Sequence, residues 1–335
     1  MPEVVLDEND TNNEEDSGLN HMMESVKTGV EPVTATTKNE EAWDATKLPT
    51  SPEKTRRKRP IKSPHFGTHM PKTKHSPAKR VSCIPFPPLS SPRFGLIQEK
   101  LADDPFKLLI GVTFLIKTAG KSSIPVFYKL LKMYPTIEDL ANANKADIVK
   151  LTKHLGLQNS RADTYVKYAN IFLQEPPVKG KRYRVENYPT KNAHRGIAKG
   201  EVLADNEDDP REGAWEIGHL TKGAYALDSW RIFCRDKLRG FAQGWNGEGA
   251  RDGFQPEWMR VMPQDKELRA FLRWCWLREG WLWDADTGER EVAGKDFVDA
   301  VNQRRVVWEW QGSGSGSGKG SWRILSEEEK QFGYS

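Results

Sequence analysis

Apolar positions recur with a helical period through the first half of the patterned part of this chain. The run Asp104-Pro-Phe-Lys-Leu-Leu-Ile-Gly-Val-Thr-Phe-Leu-Ile116 opens with an acidic cap and a first-turn proline, then is apolar nearly all round. A helix without a polar face predicts a place in the middle of a bundle. Ser122 to Met133 repeats the amphipathic period through Ile124, Phe127, Leu130 and Leu131. Pro135, Ile137 and Leu140 start a third helix, and Lys145 to Leu151 forms a short fourth. Arg161 to Leu173 gives a fifth, with Tyr165, Tyr168, Ala169 and Phe172 on one face. No alternating pattern of comparable quality occurs between residues 94 and 175, so the expected class is all-α.

Beyond residue 173 the pattern breaks. Residues 174–213 carry Pro176-Pro177, a basic Lys179-Gly-Lys-Arg182 patch and the acidic Asn206-Glu-Asp-Asp-Pro210, and read as an inserted loop. Helices are expected again over Trp215–Leu220, Leu227–Leu238 and Pro263–Glu279, with a second, glycine-rich loop over 240–256. Residues 281–335 read as a small extension with strands at Arg305–Trp310 and Trp322–Leu325, separated by a Gly/Ser linker over 312–318.

Charge changes the picture upstream. Residues 1–20 contain seven acids and no lysine or arginine, whereas Lys54 to Arg80 is basic, with a Ser-Pro pair at Ser51 just before it and two more at Ser63 and Ser76 within it. Such composition buries too little apolar surface to offset chain entropy, so 1–85 is expected to be a disordered tail ahead of a folded domain over 86–280. The cluster Lys54-Thr-Arg-Arg-Lys-Arg-Pro60 suits nuclear-import machinery or a DNA tether, which makes the nucleus the expected location. No apolar run approaches the roughly 18 residues that span a membrane. Cys83, Cys234 and Cys275 make neither a disulfide framework nor a four-thiolate cluster. No metal or cofactor is expected.

The segment from Ile217 to Cys234 reads as a helix, a tight turn at Thr221-Lys222-Gly223 and a second helix. In that geometry successive backbone N–H groups face one anion, and the following helix dipole adds to the attraction. It would grip a DNA phosphate without reading sequence; an ordinary helical turn capped by Gly223 is the competing reading.

Neighbouring residues add a resemblance. Leu96-Ile-Gln-Glu99, Asp104-Pro-Phe-Lys-Leu-Leu-Ile110, Phe114-Leu115, Thr118, Gly120-Lys121, Ile124-Pro-Val126, Tyr134-Pro135, Leu155-Gly-Leu157, Arg161-Ala162 and Asp228-Ser-Trp-Arg-Ile-Phe-Cys234 stand in register with one family. The chain resembles the glycosylase domain of the methyl-CpG-binding domain protein 4 family, mismatch thymine/uracil DNA glycosylases of the helix-hairpin-helix superfamily. The resemblance covers residues 90–175 and 215–280. It implies a helix-hairpin-helix bundle acting as a monomer on double-stranded DNA with a mismatched or damaged base. The implied activity is base excision by hydrolysis of the N-glycosidic bond.

The resemblance also implies roles. The post-hairpin stretch Val261-Met-Pro-Gln-Asp-Lys-Glu-Leu268 puts the catalytic carboxylate at Asp265, which would equally cap the helix that begins there. Asp228, inside the second hairpin helix, is assigned a structural role. Strand-cleaving members carry a lysine two residues after the hairpin; here that position is Tyr225, which cannot form an imine, so a monofunctional enzyme is implied. Gln98 matches a pocket glutamine that reads an extruded pyrimidine, with Tyr225 and Lys117 lining the same pocket. Leu157 and Gln158 match a wedge that fills the gap left by the flipped base. Two departures stand out: the family's Asn-Arg-Thr reads Ile116-Lys117-Thr118, and the hairpin reads Leu220-Thr-Lys-Gly223. A non-catalytic DNA-binding scaffold, and a lyase using Lys117 or Lys222, remain the alternatives.

Overall fold

The computed structural model describes residues 85–310 and 320–331. The expectations for the N-terminal tail, Cys83, the basic cluster and the Gly/Ser linker lie outside them. Two short-range caps start the fold. The Glu99 carboxylate accepts from the amides of Phe94, Gly95 and Leu96 and so launches α1 (Ile97–Leu101). Asp104 accepts from Lys107 N at 2.9 Å and starts α2 (Pro105–Leu115), with Pro105 in the first turn where no N–H is needed. As its all-round apolarity predicts, α2 is the buried axis: Phe106, Leu108, Leu109, Ile110, Val112 and Phe114 are all in the core. Around it stand α3 (Gly120–Met133), α4 (Ile137–Ala141), α5 (Lys145–Thr152) and α6 (Gln158–Gln174). Phe114 of α2 stacks on Tyr165 of α6 at 4.8 Å.

The all-α expectation is overturned after α6. Residues 174–213 are not a plain loop: β1 (Arg182–Arg184), β2 (Val202–Leu203) and β3 (Ala214–Trp215) form an antiparallel sheet in the order β2-β1-β3. Arg182, almost fully buried, ties this sheet together by donating to the carbonyls of Ala204 (2.6 Å), Arg211 (2.7 Å) and Asp209. The helix expected over 215–220 is absent. The chain leaves β3 through turns closed by Gly218 N→Trp215 O and Leu220 N→Ile217 O, so the segment before α7 is strand and turn. A helix-hairpin-helix unit in the strict sense is therefore missing its first helix.

Next come α7 (Ala224–Phe233), α8 (Arg235–Arg239), a loop through 240–256 that ends in a short 3-10 turn, and α9 (Lys266–Arg278). Two further antiparallel pairs follow: β4 (Trp281–Trp283) with β5 (Arg290–Val292), and β6 (Val306–Trp310) with β7 (Gly320–Ile324). Between the pairs lies α10 (Lys295–Asn302), and α11 (Glu327–Gln331) ends the described chain. The pair at 306–324 matches the expected strands, whereas β4, β5 and α10 carried no clear pattern. This C-terminal part shares the core of the helices. Phe86 N donates to Val306 O at 3.0 Å, Trp274 Nε1 to Pro87 O at 3.1 Å, and the Arg273 guanidinium lies 3.4 Å from the Trp308 ring centroid. All described residues fall within one compact unit, Lys72–Ser335. Among them, no helix is long and apolar enough to cross a membrane.

Candidate active site

Three elements distant in sequence bring Gln98, Tyr225 and Asp265 into one neighbourhood. Gln98 is 1% exposed on α1, and its Nε2 donates to the Tyr225 hydroxyl on α7 at 2.8 Å. Tyr225 follows the start of α7 and is half-buried. Its pKa is raised, first by burial and then by the negative charges of Asp265 and Glu267, so the phenol stays neutral. Asp265 is the N-cap of α9: its Oδ1 accepts from Glu267 N at 2.9 Å and Leu268 N at 3.0 Å. Cap and carboxylate are one group. Two amides fix one oxygen, and the side chain remains half-exposed.

The backbone that delivers Asp265 is clamped from both sides. Arg231 of α7 donates through Nε to Glu257 Oε1 at 2.7 Å and through Nη2 to Arg260 O at 3.4 Å. Arg269 of α9 reaches back to Pro263 O at 2.7 Å and to Gln264 Oε1 at 3.1 Å. Glu257 is also paired with Arg235, which in turn meets Glu216 at 3.0 Å, and all four charges are buried. Removing one member of such a network typically costs about 3–5 kcal/mol, because a charge is left unpaired.

Asp228 lies one turn beyond Tyr225 on α7 and is 5% exposed. It accepts a 2.7 Å bond from the hydroxyl of Tyr188, which comes from the segment expected to be a loop. Its carboxyl is pushed up to about 6, chiefly by burial and also by the charge of Asp265, while the Tyr188 bond and Arg231 act in the opposite sense. Tyr225, Asp228 and Arg231 thus line one stripe of α7 at three-residue spacing. Sequence reasoning missed Tyr188 and the arginine clamps. Tyr188 sits in a segment without periodicity, and a buried arginine looks like any other in a sequence.

The turn residues are placed differently from the phosphate grip expected of them. Gly223 is the N-cap of α7 with φ −77°, and its N–H donates to Thr221 Oγ1 at 3.2 Å. Lys222 Nζ donates to Arg184 O at 2.6 Å and to Gly218 O at 2.5 Å, stapling the turn to β1. Its pKa is lowered by this partial burial. Internal partners occupy the Gly223 amide and the Lys222 ammonium.

Leu157 is 54% exposed, in the left-handed conformation directly before α6, and Gln158 begins that helix half-buried. Lys117 is also left-handed and exposed, at the end of α2. The bonds that position Lys117 lead to the 156–157 loop, through Arg161, rather than to the Gln98–Tyr225 pair. Cys234 and Cys275 are buried, and burial raises both thiols. Among the described residues no group of His, Cys, Asp and Glu could hold a metal ion.

A cleft of about 710 Å³ opens elsewhere, between α8 and the 240–256 loop, with Asp236, Arg239, Phe241, Phe254 and Arg260 in its wall. Neither Gln98, Tyr225 nor Asp265 lines it. Its buried charges are spent internally, Arg239 on Asp205 and Glu257 on Arg231 and Arg235. No protein-family model matches the chain.

Proposed function

We propose that this protein is a monofunctional DNA N-glycosylase that removes a mispaired thymine or uracil opposite guanine. The observation that carries this reading is the meeting of Gln98, Tyr225 and Asp265 from α1, α7 and the start of α9. In the reaction, water adds to C1′ as the C1′–N bond breaks, the base departs with the bonding electrons, and the proton that the water loses ends on the departed base. Positive charge builds on the sugar, and a carboxylate held by two amides stabilises it without having to reorganise. Gln98 supplies an amide able to both donate to and accept from the edge of an extruded pyrimidine. Tyr225 offers a neutral phenol, which supports hydrolysis over imine chemistry. Lys222, with its ammonium bonded to two carbonyls, is a poor lyase nucleophile. The segment Lys54–Pro60 suits delivery to the nucleus.

The test is single-turnover base release from duplexes bearing T·G, U·G, T·A and U·A pairs. Wild type is expected to leave intact abasic strands that break only in hot alkali. Asp265→Asn keeps the cap and should lose roughly 10²–10³ in rate. Absence of release from every mispair, or a folded Asp265→Asn with an unchanged rate, overturns the assignment.

A further inference from the structure

Two non-glycine residues at neighbouring loop tips, Lys117 and Leu157, share the same left-handed backbone, each with φ 56°. That conformation costs a residue with a β-carbon roughly 1–2 kcal/mol and persists where its surroundings over-determine it. One side chain does so at both tips. Arg161 is only 4% exposed, and its Nε donates to Gly156 O at 3.0 Å, the carbonyl just before Leu157. Its Nη2 donates to Ile116 O at 3.1 Å and Thr118 Oγ1 at 2.6 Å, on either side of Lys117. Its Nη1 donates to Thr113 O at 3.0 Å and Phe114 O at 3.3 Å, carbonyls of the last turn of α2. The negative end of the α2 dipole and these carbonyls balance the buried charge. Only a planar group with five N–H donors can satisfy all of these at once; a lysine ammonium has three donors radiating from one point.

We propose that Arg161 is a positioning residue that locks the Lys117 and Leu157 tips into one rigid unit, so that an exposed cation and an exposed apolar side chain meet opened duplex DNA together. This rests on the proposed function in that duplex DNA is the partner. The unit matters where a base step must be held open, and much less for a single strand, which has no gap to fill.

Arg161→Lys tests it, retaining charge and stem but not the fork. Three quantities are read: melting temperature, uracil release from a U·G duplex against a single strand, and fluorescence of 2-aminopurine placed beside the mismatch. Arg161→Lys is expected to reduce the duplex-to-single-strand rate ratio by about tenfold to a hundredfold, the scale of loss that a misplacement of about 1 Å can cause. It should also suppress the rise in 2-aminopurine fluorescence that wild type produces. Adding Leu157→Ala should then cost little more, because the tip is already unlocked. Equal losses on both substrates in a folded variant, additive effects of the two substitutions, or an unchanged fluorescence rise overturn the proposal. If wild type releases no base, the glycosylase reading falls, and the fluorescence arm still decides the role of Arg161. Should wild type itself give no fluorescence rise with duplex, the proposal falls as well.

Discussion

Asp265 and Asp228 interact through their charges and are held in opposite ways. Asp265 is half-exposed, and its Oδ1 accepts from two backbone amides. Asp228 is buried, and its carboxyl is pushed from 3.8 up to about 6, with Tyr188, Arg231 and Asp265 the groups that act on it. Between those values the folded chain binds the proton more strongly than the unfolded one. Stability from this group is therefore present below about pH 4, declines as the pH rises through about 6, and is flat above. Asp228→Asn removes the titration and keeps an acceptor for Tyr188. The unfolding free energy of Asp228→Asn relative to wild type should thus rise between pH 4 and pH 7. Urea unfolding at several pH values measures it, and parallel profiles would show that Asp228 does not titrate in the fold. The cap at Asp265 could be read from the sequence, because an acidic residue stands directly before the apolar period of α9. The burial of Asp228 could be anticipated from its place within α7, but the hydroxyl that holds it could not, since Tyr188 arrives from 40 residues upstream.

The helices from α2 to α6 were legible because apolar positions recur through them at the helical period, and α2 also announces its start with Asp104. The sheet at 182–215 was not, for strands of two or three residues offer too few positions to display a period of two. The same shortage hid the true constraint on the turn before α7. Sequence pattern draws attention to Gly223, yet its φ of −77° is ordinary and an added Cβ would meet nothing nearer than Thr221 Oγ1 at 3.6 Å. Gly218 is the constrained one. A Cβ there would stand 2.2 Å from Tyr183 O and 2.8 Å from Val185 Cγ2, so β1 would have to move. Gly218→Ala should therefore cost about 3 kcal/mol, the upper part of the usual overpacking range. Gly223→Ala should stay within about 1 kcal/mol, as a weaker cap is offset by a stiffer unfolded chain. Urea midpoints of the two variants decide this, and equal midpoints would contradict the close approach of the turn to β1.

Residues beyond 281 read as an appendix in the sequence, because a Gly/Ser run splits them and their strands are short. Their packing says otherwise, and the site depends on it. Helix α9 carries Asp265 at one end, and Trp274 and Arg273 farther along it contact Pro87 and Trp308. Val306, Val307 and Leu325 are fully buried, and Phe86 is held to Val306 by a backbone bond while its ring lies 5.2 Å from that of Trp322. The N-terminal edge of the fold, α9 and the β6–β7 ribbon thus close over one another. Burying a large apolar side chain is worth about 1.5–3 kcal/mol, so the ribbon accounts for a sizeable part of the 5–15 kcal/mol that stabilises a typical domain. A chain ending at Arg304 should consequently lose cooperative unfolding or melt far below the full-length protein. The proposed base release should be lost with it, although every implied site residue is retained. In the full chain, near-ultraviolet and far-ultraviolet dichroism should follow a single heat transition. A shortened chain with the wild-type midpoint, or two separated transitions in the full one, would mean that the ribbon is an independent attachment and that α9 stands without it.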